Sequence, residues 1–78
     1  MYRFEIVPDG GKTCVRSGSS SSVDGICERI YDAVLELLGG SDDMIAIEAS
    51  SWAELYCGTE DDPATFEMDN YTLYFWEE

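Results

Sequence analysis

Histidine is absent from this 78-residue chain, and no lysine or arginine follows Arg29. The segment up to Arg29 contains four acids and four bases, whereas the rest of the chain contains thirteen acids and no base. The formal net charge of −13 therefore arises entirely after Arg29. Such a surface attracts cationic surfaces and repels phosphate. It predicts a basic protein surface as the partner, and it argues against direct nucleic-acid binding and against anionic membranes.

The lack of histidine also removes the usual general base of nucleophilic catalysis. No histidine can activate Cys14, Cys27, Cys57 or the serines of residues 19–22. The chain contains no G-x-S-x-G elbow, no P-loop and no G-x-G-x-x-G fingerprint. The acidic clusters lack the EF-hand spacing, and there is no C-x-x-C pair to start a zinc site. We therefore expect no enzyme activity, no cofactor and no metal.

The three cysteines are an odd number at wide spacing, which favours free thiols and a reducing compartment. Met1 leads into an alternating pattern rather than the apolar stretch of a signal peptide, and the apolar runs are too short to span a bilayer. The composition is 45% hydrophobic and 13% aromatic, which favours a folded chain over an acidic disordered tail. We expect one soluble domain over residues 1–78, cytoplasmic in a bacterial host cell, as a monomer or weak dimer.

The first half of the chain predicts a hairpin followed by a long helix. Residues 2–7 alternate as a half-buried strand, residues 8–11 form a turn, and residues 12–17 return as the second strand. After a flexible connector at residues 18–22, apolar residues recur at helical spacing over residues 22–38. Ser21 is the predicted cap of this helix, and the glycine pair at 39–40 its end.

The second half predicts three more strands and a short helix. Residues 44–49 alternate like a strand, and a capping box at residues 51–54 opens a helix that ends at Gly58. Residues 65–68 and 71–76 predict a second hairpin across Asp69-Asn70, two residues that tolerate a positive φ. The expected fold is α+β in the order ββαβαββ, with a mostly antiparallel sheet and one long helix packed on one face.

Four acids repeat every fourth residue along the predicted long helix: Asp24, Glu28, Asp32 and Glu36. The rise of ~1.5 Å per residue places a carboxylate about every 6 Å along one side. The simplest interpretation is a solvated face. However, an ordinary solvated face interleaves bases that offset like-charge repulsion, and here only Arg29 does so. We therefore include this stripe among the candidate partner-binding residues.

The remaining candidates are two acidic clusters and the end of the last strand. Tyr74 and Trp76 share one side of that strand, so we expect them on the open face of the sheet beside Glu5, Glu48 and Glu67. Exposed aromatics of this kind are enriched at binding hot spots, although cross-strand packing explains them slightly better. The further candidate partner-binding residues are Asp42, Asp43, Glu60, Asp61, Asp62, Glu67, Tyr74 and Trp76.

These observations predict a small binding protein that inhibits a nucleic-acid-binding partner by presenting a DNA-mimic-like negative surface. Phage-encoded inhibitors of CRISPR or restriction complexes are similar in size and charge. Bacterial immunity proteins that neutralise basic nuclease toxins are similar too, and they are the first alternative. The second alternative is a structural or regulatory module that forms a homodimer through its aromatic residues. No motif distinguishes these classes.

Overall fold

The structure is a computed structural model that describes residues 1–38 and 43–78. It begins with an antiparallel strand pair, β1 (Tyr2–Pro8) and β2 (Arg16–Ser20). The predicted hairpin is confirmed, but β2 lies later than residues 12–17. Residues 18–20, expected in a connector, belong to the strand. Gly18 is required there, because a Cβ atom would lie 2.7 Å from a ring carbon of Phe4, its partner across the pair.

The long helix, α1, spans Val23–Leu38 and confirms the predicted helix at 22–38. Ser22 rather than Ser21 caps it, since the Ser22 Oγ accepts a hydrogen bond of 3.0 Å from the Gly25 amide. The expected stop at Gly39-Gly40 lies outside the described residues. Five residues form the buried face of α1: Ile26, Cys27, Ile30, Ala33 and Val34.

A second helix, α2 (Met44–Leu55), replaces both the strand predicted at 44–49 and the short helix predicted from Ser51. Its buried residues are Ala46, Ala49 and Ala53, which recur at helical spacing. Their small side chains allow α2 to pack closely on the core. The element order is therefore ββααβββ rather than ββαβαββ, and two helices cover the sheet where one was expected.

Three strands complete the sheet: β3 (Gly58–Thr59), β4 (Ala64–Met68) and β5 (Tyr71–Glu77). Strand β5 pairs antiparallel with β1 along one edge. Along its other edge β5 pairs antiparallel with β4 and parallel with the short β3. The sheet is therefore mixed. The predicted second hairpin is confirmed, with Asn70 at a φ of 68° in its turn.

The core lies between one face of the sheet and the two helices. Phe4, Ile6, Leu73 and Phe75 pack from the sheet against the buried faces of α1 and α2. Among the described residues no polar or charged side chain is fully buried, so every described carboxylate lies at or near the surface. Within that same part of the chain, neither helix has the length and apolar composition needed to cross a membrane.

Candidate functional site

The acidic stripe of α1 is exposed along its whole length. Asp24, Glu28, Asp32 and Glu36 are all exposed, as expected of residues on the helix side that faces away from the sheet. The stripe is not free of bases, however. Arg16 of β2 reaches Glu36 and forms an ion pair of 3.2 Å. An exposed pair of this kind is worth only about 0–1 kcal/mol, but it neutralises that end of the stripe.

Arg29 adds a second base beside the stripe. It lines a shallow groove with Glu28 and Asp32 on α1, and a further groove between α1 and β2 that also includes Arg16 and Glu36. The two bases therefore lie beside Glu28, Asp32 and Glu36, and Asp24 is the carboxylate of the stripe that lies farthest along α1 from the Arg16–Glu36 ion pair. Sequence reasoning counted Arg29 but had no means of placing Arg16, which reaches the helix only through strand pairing.

Helix α2 brings a further carboxylate, Glu54, to the stripe. The groove between the two helices is lined by Asp24, Glu28 and Glu54 together with Cys27, Tyr31 and Ser50. Burial raises the pKa of the Cys27 thiol, and the nearby Glu54 and Asp24 carboxylates raise that pKa further. The Cys27 thiol therefore stays protonated, and the groove concentrates negative charge. Glu54 was missed because the sequence assigned it to a capping box and contained no signal that its helix packs beside α1.

Asp43 has an internal role. Its Oδ2 accepts a hydrogen bond of 2.6 Å from the Tyr31 hydroxyl, which joins the start of α2 to the middle of α1. This hydrogen bond is the main reason why the pKa of Tyr31 is raised, with burial and the Asp43 charge as further causes. The carboxylate is half-buried and used within the fold. Asp42, the other member of the predicted pair, lies outside the described residues.

The acidic loop at residues 60–62 sits on a tight turn. The Thr59 amide donates to the Asp62 carbonyl at 3.0 Å, and the Asp62 amide donates to the Thr59 carbonyl at 3.1 Å. The turn is closed so tightly that a Cβ atom on Gly58 would collide with the backbone of residues 62–64. Glu60, Asp61 and Asp62 are all exposed on this turn.

The open face of the sheet contains Tyr74 and Trp76, as expected from their side of β5. Strand pairing sets Glu5 opposite Tyr74 and Arg3 opposite Trp76, and the neighbouring strand adds Glu67 opposite Thr72. Glu48 was wrongly expected here, since it is an exposed residue of α2 on the helical side of the molecule.

The two aromatics of this face are less available than expected. Both Tyr74 and Trp76 are half-buried, and the Trp76 Nε1 is buried without a hydrogen-bond partner among the described residues. Arg3, opposite Trp76, forms an ion pair of 2.7 Å with Glu78. The open face is therefore mixed in charge and only partly exposed.

Sequence reasoning missed the exposed apolar residues of α2. Ile47 and Leu55 of this helix, and Tyr56 directly after it, are among the exposed large hydrophobic residues. A strand at 44–49 would turn Ile45 and Ile47 to the same face, so the exposure of Ile47 was not expected. The sequence signal was the spacing of Ala46, Ala49 and Ala53, which marks the opposite side of a helix as the solvent side.

Comparison with known protein families, with curated proteins and with solved structures finds no match to this chain. Within residues 1–38 and 43–78, no group of three or more potential ligands is placed to hold a metal ion.

Proposed function

We propose that this chain is a small acidic binding protein that inhibits a nucleic-acid-binding partner by occupying its cationic surface. The observation that carries the proposal is the concentration of exposed carboxylates along α1, with Glu54 of α2 added to the N-terminal end of the stripe. Asp24, Glu28 and Glu54 form no ion pair within the described part of the chain. They are therefore available to the lysine and arginine side chains with which proteins bind DNA.

The density of charge indicates how such a surface would act. The stripe offers about one carboxylate per 6 Å, whereas each DNA strand offers one phosphate per ~3.4 Å of axis. The helix alone is thus a sparse imitation of a phosphate backbone. The summed field of the whole −13 molecule supplies the rest, and its main effect is faster association, by roughly 10–10³-fold at low salt.

The first candidate class is a phage-encoded inhibitor of a CRISPR or restriction complex, acting in the cytoplasm of a bacterial host cell. Such inhibitors meet a partner that already displays a nucleic-acid channel, and a chain of 78 residues is small enough to enter one. An immunity protein against a basic nuclease toxin would use the same surface. The proposed role needs no catalytic group, cofactor or metal.

A displacement assay tests the proposal. Fluorescently labelled DNA is bound to a CRISPR effector, a restriction endonuclease or a nuclease-toxin domain, and the chain is titrated against each complex. We expect the chain to displace DNA from at least one of them, less effectively as salt is added, and to bind no DNA itself. Failure to displace DNA from any of the three at low salt would contradict the proposal.

A matched pair of variants locates the surface. Asp24→Asn with Glu28→Gln neutralises the unpaired end of the stripe, whereas Glu5→Gln with Asp69→Asn makes the same change in net charge elsewhere. We expect the first pair to slow association several-fold more than the second. Equal effects would mean that only the total charge matters and that the α1 stripe is not the binding surface.

A further inference from the structure

Strand β4 lies at the side of the sheet opposite β2, and it pairs with β5 alone. Met68 and Tyr71 flank the two-residue turn between these strands and are partners in the register, the position at which hairpin residues exchange backbone hydrogen bonds. Backbone groups alternate in direction along a strand, so the amides and carbonyls of Thr65 and Glu67 point away from β5. Within residues 1–38 and 43–78 no other strand pairs with that side. We call these outward backbone groups of Thr65 and Glu67 the β4 edge.

The side chains of β4 are covered less completely than those of its neighbours. Each of the five residues of β4 is at least partly exposed, whereas β1 and β5 each contribute two buried residues to the core. Phe66 and Met68 pack against the core from the helix side and remain half-buried. The Phe66 ring contacts Trp52 of α2, with centroids 5.3 Å apart. A further strand would cover more of both side chains, because residues of neighbouring strands pack side by side on one face.

The side chains that border the β4 edge are acidic. Glu67 is exposed on β4 itself, and the exposed acids Glu60, Asp61 and Asp62 directly precede the strand, with no base after Arg29. Charges on edge strands commonly prevent edge-to-edge pairing, and these acids repel a second copy, which brings the same acids and a net charge of −13. The same acids attract a strand that contains lysine or arginine. Charge complementarity therefore selects an extended basic segment of another protein.

We propose that the β4 edge binds an extended basic segment of a partner protein as an added strand of the sheet. Backbone hydrogen bonds to Thr65 and Glu67 supply affinity, and alternate side chains of the segment supply specificity. Its apolar side chains lie beside Phe66 and Met68, and its lysine or arginine side chains lie beside Glu67. The site goes beyond the proposed function, because it does not use the α1 stripe. Helix α1 packs against β2 and β1, at the other side of the sheet, so the two surfaces can be tested separately.

A short synthetic peptide of alternating lysine and valine tests the proposal as a model of such a segment. Two control peptides share its length: one is methylated at every backbone nitrogen, so it keeps the charge but donates no backbone hydrogen bond, and the other replaces lysine by glutamate. Amide chemical shifts and hydrogen exchange of the full chain are measured at physiological salt. We expect the lysine–valine peptide to bind at least about tenfold more tightly than either control. At saturation it should slow exchange of the Thr65 and Glu67 amides by at least about tenfold.

Variants on the protein side complete the design. Thr65→Pro removes an outward N–H and spares the hydrogen bonds to β5, since proline is tolerated on an edge strand where the N–H faces away from the sheet. Ser17→Pro is the matched control on β2, the other edge strand. We expect Thr65→Pro to lose at least about tenfold in affinity and Ser17→Pro to bind normally. Glu67→Gln should weaken binding more than Glu48→Gln, which removes the same charge from α2. Circular-dichroism melts check the folding of each variant, and the glutamine pair tests the site even if a proline variant does not fold.

Four results would overturn the inference. If the methylated peptide binds as tightly and shifts only α1, the contact is purely electrostatic and belongs to the stripe. If the glutamate peptide binds as tightly, the basic character of the segment is wrong. If sedimentation shows a dimer that Thr65→Pro abolishes, the occupant is a second copy. If no peptide binds, the acids only protect the edge, and the proposed function is unaffected. Conversely, binding mapped to the β4 edge combined with no DNA displacement would contradict the proposed function and leave this inference standing.

Discussion

The acidic loop at residues 60–62 can close because Gly58 has no side chain. A Cβ atom there would meet the backbone nitrogen of Ala64 and, at 2.5 Å, the carbonyl oxygen of Asp62, and backbone atoms cannot move aside cheaply. We expect Gly58→Ala to lower the free energy of unfolding by about 1–3 kcal/mol. Chemical denaturation measures this change. Gly11→Ala is the control, since its nearest contact is an ordinary 3.4 Å and it should change stability little. If the two variants were equally stable, the close approach of the backbone of residues 62–64 to Gly58 would be contradicted.

The hydrogen bond from Tyr31 to Asp43 makes stability depend on alkaline pH. The pKa of Tyr31 is raised above its ordinary value of 10.0, chiefly by that hydrogen bond. The folded state therefore holds this proton more tightly than the unfolded chain does. The resulting stabilisation is present below pH 10.0 and is lost as the pH rises through the folded-state pKa.

We expect Tyr31→Phe to lower the melting temperature at neutral pH and to reduce its fall at alkaline pH. Thermal melts from neutral pH to above the ordinary tyrosine pKa check both effects. Tyr71→Phe is the control, because it removes a tyrosine hydroxyl that has no hydrogen-bond partner among the described residues. A Tyr31→Phe profile parallel to that of the wild type would contradict the role of this hydrogen bond.

The sign of the stability change caused by one substitution tests whether Ser51 lies inside α2 or caps a helix. Ser51 lies inside this helix and is exposed, so Ser51→Ala should raise the stability by a few tenths of a kcal/mol, up to about 0.7, through helix propensity. If Ser51 instead capped a helix, as its sequence pattern indicates, the same substitution would cost about 1 kcal/mol. Ser22→Ala is the reference for a true cap and should show that cost. Urea denaturation of the two variants distinguishes the alternatives.

The misassignment of residues 44–49 has an identifiable cause. Ile45 and Ile47 are two residues apart, as on one side of a strand, although in α2 Ile45 packs against the core and Ile47 is exposed. The alanines at 46, 49 and 53 carried the opposing helical signal, and methionine, alanine, glutamate and leucine are good helix formers. The conflict was decided by packing, because the alanine side fits against the core.

At the scale of the whole molecule, charge opposes folding. The described carboxylates all lie at or near the surface, and only two ion pairs, Arg3–Glu78 and Arg16–Glu36, occur within residues 1–38 and 43–78. Screening shortens the range of repulsion from ~30 Å at 0.01 M salt to ~10 Å at 0.1 M. We therefore expect the melting temperature to rise between these salt concentrations.

Choline chloride at equal ionic strength is the control for this prediction, since it screens charge without offering a small cation for binding. The two salts should raise the melting temperature alike. A melting temperature that falls with either salt would mean that local pairing outweighs self-repulsion. A rise with sodium chloride alone would reveal a specific cation site.

The sequence by itself determined the features that depend on neighbours along the chain. The 3.6-residue period of α1, the alternation of β1 and β5 and the turn chemistry at Asn70 are local, and so is the spacing of the acidic stripe. Each follows from the backbone geometry of a few consecutive residues. The net charge and the absence of a base after Arg29 needed no structure at all.

Only the tertiary structure decided what lies beside the stripe and what lies opposite the core. Arg16 meets Glu36 through strand pairing, Glu54 joins Asp24 through helix packing, and Ile47 and Leu55 are exposed because the alanines occupy the buried side of α2. These contacts join residues that are distant in the chain, and their formation depends on the closure of long loops and the filling of one shared core. Local periodicity contains no information on either, which is why the acidic stripe could be predicted and the groups that lie beside it could not.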